Sequence, residues 1–152
     1  MDFVARDPDF AKRVRGSFEA QAFMRLIGAR LERVEPGAVD IALDFREDLT
    51  QQRGFLHAAV VTGIADSACG YAASTLMPAG SDVLSVEFKA NLLRPAKGSR
   101  FLAEARVVKD GRTITVARAD VQAWEGVGEP RLVATMLATM IRHQAAESKR
   151  GA

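Results

Sequence analysis

One acidic residue, Asp66, lies inside the longest stretch of the chain that has no other charged side chain, which runs from His57 to Met77. A buried carboxylate is costly unless it is paired, hydrogen-bonded or used in a reaction. The isolation of Asp66 therefore predicts a functional carboxylate, which could act as a general base or as a nucleophile.

If residues 57–77 form one buried helix, as their length and alanine content indicate, side chains turn by about 100° per residue. One face then carries small residues around the acid: Ala59, Gly63, Asp66, Gly70 and Ala73. The opposite face is bulkier and suits packing on a sheet; it consists of His57, Val61, Ile64, Ala68 and Tyr71. Because each interior glycine costs a helix about 1 kcal/mol relative to alanine, the small face predicts close approach by a ligand or a second helix.

The start of this helix offers donors that could hold a developing oxyanion. His57 lies nine residues before Asp66 and points to the other side of a straight helix, so the two cannot form an acid–base pair within it. A partner for Asp66 has to come from another segment or another subunit. Backbone N–H groups of Ala58 and Ala59 are available after His57, and Gln51 adds an amide in the preceding loop. Together with Asp66, these donors suit hydrolysis of an activated ester.

The elements that must position these residues follow from the periodicity of the rest of the chain. Apolar spacing predicts an amphipathic helix over residues 9–27, which Gly28 ends. Two strands follow, over residues 31–35 and 39–45, and residues 46–56 form a loop.

Four further strands are predicted after the long helix, over residues 83–93, 101–108, 113–124 and 131–142. In the first of them the apolar residues at even positions from Leu84 to Leu92 are predicted to share one face, with Ser85 on the other. A two-residue turn at Asp110 and Gly111 joins the next two strands. A helix packed against an antiparallel sheet, an α+β fold, is the arrangement that this order favours.

Composition is that of an ordinary globular protein. The chain has 152 residues, of which 48% are hydrophobic and 26% charged, and a formal net charge of +2. This balance excludes disorder as the main state and gives no bulk charge that would favour nucleic acid. Asp66 interrupts the one long apolar stretch, which disfavours a membrane span there. The N-terminus is charged and lacks the apolar run of a signal peptide, so no membrane partner is expected. With a single cysteine, Cys69, the protein is expected in the cytoplasm.

The motifs GFLHAA at residues 54–59, GIADSA at 63–68, SVEFKANLLRPA at 85–96, KDGRT at 109–113 and SFEAQ at 17–21 occur together in this chain. In combination they resemble the signature of hotdog-fold acyl-CoA thioesterases of the PaaI-like, phenylacetate-degradation type. The resemblance implies a single hotdog thioesterase domain over residues 9–143: a long central helix wrapped by an antiparallel sheet of five to six strands, with an N-terminal helix. Residues 1–8 and 144–152 are expected to be flexible ends.

The resemblance also implies an active site between two subunits of a homodimer, which in many relatives pairs into a homotetramer. Asp66 corresponds to the family's carboxylate. Gln51 stands where the family usually has the Asn that orients the thioester or water, and Ala58 stands where it usually has Gly and offers an N–H to the thioester carbonyl. His57 belongs to the same motif and is expected to cap the helix or bond to the loop, and Ser85 matches a position that assists catalysis in some members.

Coenzyme A contacts in relatives map onto two basic turns, formed by Arg94, Pro95, Ala96 and Lys97 and by Lys109, Gly111, Arg112 and Thr113. These turns bracket a strand about 33 Å long, so both can contact one CoA only if they come from different chains. Gly63 and Gly70 are predicted to line the acyl pocket, which would take an aromatic or a medium- to long-chain acyl group. No metal is expected, and no cofactor besides the CoA of the substrate.

The function predicted from these residues is that of an acyl-CoA thioesterase. The alternative is a non-catalytic module that binds or senses acyl-CoA on the same fold. A hydratase or dehydratase ranks behind both, because that chemistry needs a His–carboxylate pair in one pocket. The chain has only His57 and His143, and neither has a suitable spacing to an acid.

Overall fold

The computed structural model describes residues 3–144 of the chain. Two short helices, α1 (Phe10–Ala20) and α2 (Ala22–Ile27), precede two strands, β1 (Arg30–Glu35) and β2 (Ala38–Asp44). A 3-10 turn, Glu47–Leu49, leads to the long helix α3 (Ala58–Ser74). The remaining strands are β3 (Ser81–Leu92), β4 (Arg100–Lys109), β5 (Ile114–Trp124) and β6 (Arg131–Gln144). The predicted α+β architecture, with its long central helix and N-terminal helical segment, is confirmed.

All six strands form one antiparallel sheet in the order β1-β2-β4-β5-β6-β3, and α3 packs across it. The inward-facing positions of the two central strands include buried alanines, Ala103 and Ala105 on β4 and Ala117 and Ala119 on β5. They alternate with more exposed residues, which is the pattern of a sheet with one covered face. Because these side chains are small, the helix can lie close to the sheet.

The predicted single helix over residues 9–27 is wrong at one point, because Gln21 is extended (φ −74°, ψ 106°) and separates α1 from α2. The break changes the phase of the buried side chains. Met24 and Ile27 are buried after it, whereas Leu26, which the uninterrupted pattern places in the apolar stripe, is 70% exposed. An unbroken helix could not turn both α1 and this second set toward the core.

Strand β3 contains a β-bulge at Val86. Ser85 lies opposite Met140 and Glu87 lies opposite Thr139. The register therefore advances by two residues on β3 and by one on β6. An extra residue in one strand reverses the alternation of its side chains beyond that point.

The bulge overturns the predicted shared face of β3. Val83 and Ala90 have opposite parity along the chain, yet both pack against the core. Leu84 therefore lies on the outer face of the sheet, although Leu92 at the other end of the strand lies on the helix side. Ser85, predicted to point away from the apolar face, points toward α3.

Two further boundaries differ from the prediction. Residues 3–8, predicted to be flexible, contact the sheet: the Phe3 ring lies against Gly37, and Arg6 forms an ion pair with Asp110. The connection between β4 and β5 spans residues 110–113, which is longer than the predicted two-residue turn.

At the other end of the chain, β6 continues to Gln144, and the rest of the predicted tail lies outside the described residues. None of the helices within residues 3–144 is both long enough and apolar enough to cross a membrane.

Candidate active site

The carboxylate of Asp66 is half-buried on α3 and faces the edge strand β3. The hydroxyl of Ser85 donates a hydrogen bond to its Oδ1 atom at 2.7 Å, and the same hydroxyl lies 3.5 Å from the Sδ atom of Met140. The bulge at Val86 produces this contact, because it allows Ser85 to face the helix while the rest of the strand keeps its pairing. The hydrogen bond fixes the orientation of the carboxylate and engages only one of its two oxygens.

Asp66 opens onto a groove of about 510 Å³ between α1, α3 and the start of β3, which we call the Asp66 groove. The surroundings of Asp66 are more polar than the sequence of α3 alone indicates, since most of the side chains that line this groove are polar. They include Arg13, Ser17, Gln21, Ser67, Tyr71 and Asp82. Polar side chains contributed by α1 and β3 could not be foreseen from the sequence of α3.

Tyr71 and Ser17 place two hydroxyl groups together at the wall of this groove, 3.4 Å apart. Burial raises the pKa of Tyr71, the hydrogen bond with Ser17 opposes that shift, and the nearby Asp82 carboxylate adds to it. Tyr71 is therefore neutral at physiological pH and available as a hydrogen-bond donor. Helical spacing along α3 predicts a packing role for Tyr71, and only the meeting of α1 with α3 reveals a polar one.

The start of α3 presents one unpaired backbone donor. The N–H of His57 donates to the Leu49 carbonyl, the N–H of Val60 donates to the His57 carbonyl, and the His57 ring accepts from the N–H of Ala59 through Nδ1 at 2.9 Å. Of the N–H groups that a helix start leaves open, the one on Ala58 has no acceptor within residues 3–144. Ala59, predicted as a second available donor, is instead satisfied by the cap.

Gln51 lies in the loop before α3, where its main chain and side chain shape a turn. Its N–H donates to the Phe55 carbonyl, its carbonyl accepts from Gly54, and its Oε1 atom accepts from the N–H of Arg53. Gln51 and Ala58 line the same groove, of about 440 Å³, which we call the Gln51 groove. The structure therefore brings together two of the predicted site residues.

The Gln51 groove also contains apolar surface and part of one predicted basic turn. Its apolar lining residues include Phe55, Leu56, Val61, Leu92 and Val133, and Arg94, Pro95 and Ala96 form the adjoining wall. The Arg94 guanidinium donates to the Leu132 carbonyl at 2.8 Å, and Lys97 beyond it pairs with Glu125 at 2.7 Å. Lys97 is therefore partly neutralised, whereas Arg94 keeps its charge beside the groove.

Within one chain these residues form two separate groups. Asp66 and Ser85 belong to the Asp66 groove, and Gln51 and Ala58 belong to the Gln51 groove. Asp66 lies eight positions after Ala58 on the helix, which is about 12 Å along the axis. A single thioester cannot contact the Ala58 N–H and the Asp66 carboxylate of the same chain at bonding distance.

The second basic turn, residues 109–113, lies at the same end of the sheet as Ser85, the hydrogen-bond partner of Asp66. Ser85 and Thr115 are both paired with Met140, so they stand in one cross-strand row about 10 Å apart. Thr115 donates to Asp110 in the turn at 3.2 Å. The two predicted CoA-binding turns are thus at opposite ends of β4, as their spacing in the sequence requires.

The two predicted acyl-pocket glycines have different surroundings. A Cβ atom on Gly63 would lie 2.8 Å from the Phe23 ring of α2, so this position accommodates a second helix of the same chain. The close approach of a second helix that the small face predicts therefore occurs at Gly63, and its acyl-pocket role stays a prediction. Gly70 lines the Asp66 groove, and a Cβ there would meet Val83 at an ordinary distance of 3.9 Å.

Cys69 is next to Gly70, which belongs to the small face around Asp66, but Cys69 does not take part in the site. Its side chain is fully buried, and burial, together with the charge of the nearby Asp66, raises its pKa to about 12. A thiol of this kind is unreactive at neutral pH. No cluster of three or more His, Cys, Asp or Glu side chains suitable for a metal occurs within residues 3–144.

Comparisons with known proteins relate both the fold and these residues to one family. The model of the Thioesterase superfamily matches residues 53–128, a segment that contains Ala58, Asp66 and Ser85. A Saccharolobus solfataricus protein with "esterase" in its name is 32% identical over 129 residues, which cover 85% of this chain and 83% of that protein.

Solved structures extend the comparison to nearly the whole chain. A thioesterase family protein from Silicibacter pomeroyi has a TM-score of 0.87 and 48% sequence identity, over 90% of this chain and 99% of that one. The PaaI protein of the phenylacetic acid degradation operon of E. coli has a TM-score of 0.81 at 16% identity, over 93% of this chain and 99% of that one. At that identity, the second likeness supports the fold alone.

Proposed function

This chain belongs to the thioesterase superfamily, and its fold is the hotdog fold; on that basis we propose that it hydrolyses acyl-CoA thioesters to a free acid and CoA. The observation that carries the proposal is the Asp66 carboxylate, half-buried in a groove and held by the Ser85 hydroxyl at 2.7 Å. A carboxylate in this position can activate water or attack a thioester carbonyl.

The reaction needs a donor for the carbonyl oxygen as well as a carboxylate. We assign that role to the Ala58 N–H, and assign Gln51, in the same groove, to orienting the thioester or the water. With Asp66 as base, the water oxygen bonds to the acyl carbon while its proton passes to the carboxylate. The carbon–sulfur bond then breaks, and the CoA thiolate takes that proton. With Asp66 as nucleophile, a carboxylate oxygen bonds to the acyl carbon as the carbon–sulfur bond breaks and CoA leaves as the thiolate. Water then cleaves this acyl-carboxylate intermediate to the free acid and the Asp66 carboxylate, and a proton of the water goes to the thiolate.

Because the two groups of residues are separated within one chain, we propose that Asp66 and Ser85 of one subunit act with Ala58 and Gln51 of a second copy. The edge strand β3 supports this assembly. It has a strand neighbour on one side only, and its large apolar side chains Leu84, Val86, Phe88 and Leu92 are between 45% and 56% exposed. A long apolar edge strand favours pairing with another chain.

For the substrate we propose an aromatic or a medium- to long-chain acyl-CoA. The apolar residues of the Gln51 groove supply surface for such an acyl group, and a cavity of about 440 Å³ has the size of a small-molecule site. Arg94, together with Lys109 and Arg112 on the other turn, supplies cations that suit the phosphates of CoA.

The proposal is tested by measuring thiol release from a panel of acyl-CoAs of different length and aromaticity. The Asp66→Asn variant should lose at least about 100-fold in kcat, because it removes the base or nucleophile at nearly constant volume. Asp82→Asn is the matched control, since Asp82 is an exposed carboxylate that lines the same groove and has no hydrogen bond to Ser85.

Two results would count against hydrolysis. If the wild-type protein binds acyl-CoA but releases no thiol across the panel, the chain is a binding or sensing module instead. If Asp66→Asn and Asp82→Asn keep equal activity, Asp66 is not the reacting group.

A further inference from the structure

The hairpin between β4 and β5 carries two cations and one acid in close sequence: Lys109, Asp110 and Arg112. Lys109 and Arg112 are exposed, and neither forms an ion pair with any residue within 3–144. Asp110 differs from them, because its side chain is only 15% exposed and both of its oxygens are occupied.

The partners of Asp110 come from outside the turn. The Arg6 guanidinium forms an ion pair with Oδ2 of Asp110, and the Thr115 hydroxyl donates to Oδ1 at 3.2 Å. Thr115 is buried in β5, which fixes one side of this arrangement. Arg6 lies 104 residues before Asp110, on the segment that precedes α1.

That segment is anchored on both sides of Arg6. Phe3 packs against Gly37, and the Asp7 carboxylate binds the Arg13 guanidinium and the Asp9 N–H, each at 2.9 Å. Arg6 is therefore presented to the hairpin by an ordered piece of chain.

Besides Arg6, the hairpin itself offers cations to Asp110, since Lys109 and Arg112 are one and two residues away along the chain. A carboxylate that pairs with Lys109 or Arg112 lowers the positive charge which that turn offers to an anion. Phosphate groups bind Arg and Lys strongly only when these cations are not already neutralised.

We propose that Arg6 is a positioning residue which holds Asp110 away from Lys109 and Arg112, so that both cations bind the phosphates of coenzyme A. This inference rests on the proposed function for the identity of the ligand. It gives Arg6 a role in CoA binding, although Arg6 lies outside the hairpin and outside the motifs named in the sequence.

The test compares the dissociation constants of CoA for the wild type, Arg6→Ala, Arg6→Gln, Asp110→Asn and the double variant Arg6→Ala/Asp110→Asn. Each Arg6 variant should weaken CoA binding by about three- to tenfold, the size expected for one lost surface charge contact. The double variant should return to within about twofold of the wild type, because the carboxylate that would neutralise the turn is gone.

Arg30→Ala is the matched control, since Arg30 also forms an exposed ion pair with an aspartate, Asp44 at 2.7 Å, on β1 and β2. It should leave the CoA affinity unchanged. Pantetheine, which lacks every phosphate of the nucleotide part, should bind equally to all variants.

The inference is overturned if Arg6→Ala binds CoA like Arg30→Ala, if the double variant stays as weak as Arg6→Ala, or if pantetheine binding falls in parallel. It is also overturned if the wild-type protein binds no CoA. Because the measurement is binding, a wild-type protein that binds CoA without releasing thiol would contradict the proposed hydrolysis and leave the role of Arg6 standing.

Discussion

At the residue scale, the chemistry of Asp66 depends on a neighbour that lies 19 positions further along the chain. Ser85 donates to Oδ1 at 2.7 Å, and Asp66 lines the groove between α1, α3 and β3. The unusual position of Asp66 is visible in the sequence, because no other charge occurs in its helix. The orientation of Ser85 is not, because a bulge of one residue reverses it.

Cys69 provides a prediction that concerns a single side chain. Because burial raises its pKa to about 12, the native protein should react with Ellman's reagent at pH 8 at least about 100-fold more slowly than the denatured chain. The measurement is the absorbance change with and without a strong denaturant. Rapid labelling of the native protein would show that the core around Cys69 opens.

The same property bears on the hydrolysis assay. The chain has one cysteine, so an inert Cys69 adds no background to a thiol-release signal.

At the element scale, Arg13 joins α1 to the C-terminal end of α3. Its guanidinium donates to the Ser74 hydroxyl at 2.9 Å and to the carbonyls of Ser74 and Met77 at 3.1 Å. Carbonyl groups at the end of a helix lack partners within the helix and carry the negative end of its dipole, so a cation there is favourable. Arg13 also binds the buried Asp7, and in this way ties the N-terminal segment to the same point.

Replacing Arg13 with alanine should lower the free energy of unfolding by about 2 kcal/mol, since several hydrogen bonds from a charged group are lost together. Chemical denaturation measures this change. Arg15→Ala is the control, because Arg15 is exposed on the same helix. Equal stability of the two variants would contradict the stabilising role of the contacts that Arg13 makes with the end of α3.

The effect of Arg13 should depend on pH in a defined direction. The hydrogen bond from Arg13, with a second from the Asp9 N–H, lowers the pKa of Asp7 below its usual value of 3.8. A lowered pKa in the folded state stabilises the protein above the usual value, and this contribution is lost as the pH falls through the folded value. The difference in stability between wild type and Arg13→Ala should therefore be smaller at strongly acidic pH than at neutral pH.

At the scale of the whole molecule, the predicted site residues form two separate groups on each chain, and the proposed function makes these groups complementary across two subunits. One group contains Asp66 and Ser85, and the other contains Gln51 and Ala58. In a symmetric dimer the Asp66 and Ser85 group of each chain would face the Gln51 and Ala58 group of its partner. Two equivalent sites would result.

This arrangement predicts complementation between two inactive variants. A heterodimer of an Asp66→Asn chain and a Gln51→Ala chain, purified with two different tags, should recover about half of the wild-type activity, because one of its two sites is intact. Each homodimer should remain well below that level. Analytical ultracentrifugation of the same samples would distinguish a dimer from a tetramer.

If the heterodimer were no more active than the mean of its two parents, the site would not be shared between subunits. A donor other than the Ala58 N–H would then have to bind the thioester carbonyl oxygen, because Ala58 and Asp66 of one chain are too far apart along α3.

The sequence by itself determined the order of elements, the long helix and the isolation of Asp66 within it, because periodicity and the exclusion of other charges are local properties of a segment. Residues 57–77 predict α3 to within a few positions, and residues 101–108 and 113–124 predict β4 and β5.

Only the tertiary structure decided what surrounds Asp66. The extended residue Gln21 and the bulge at Val86 each change the direction of side chains by one step, which no period in the sequence records. The bulge turns Ser85 toward Asp66, and the packing of α1 on α3 brings the Ser17 hydroxyl to the same groove. Contacts between distant segments depend on the angles at which whole elements pack, and those angles are set by the fold as a whole.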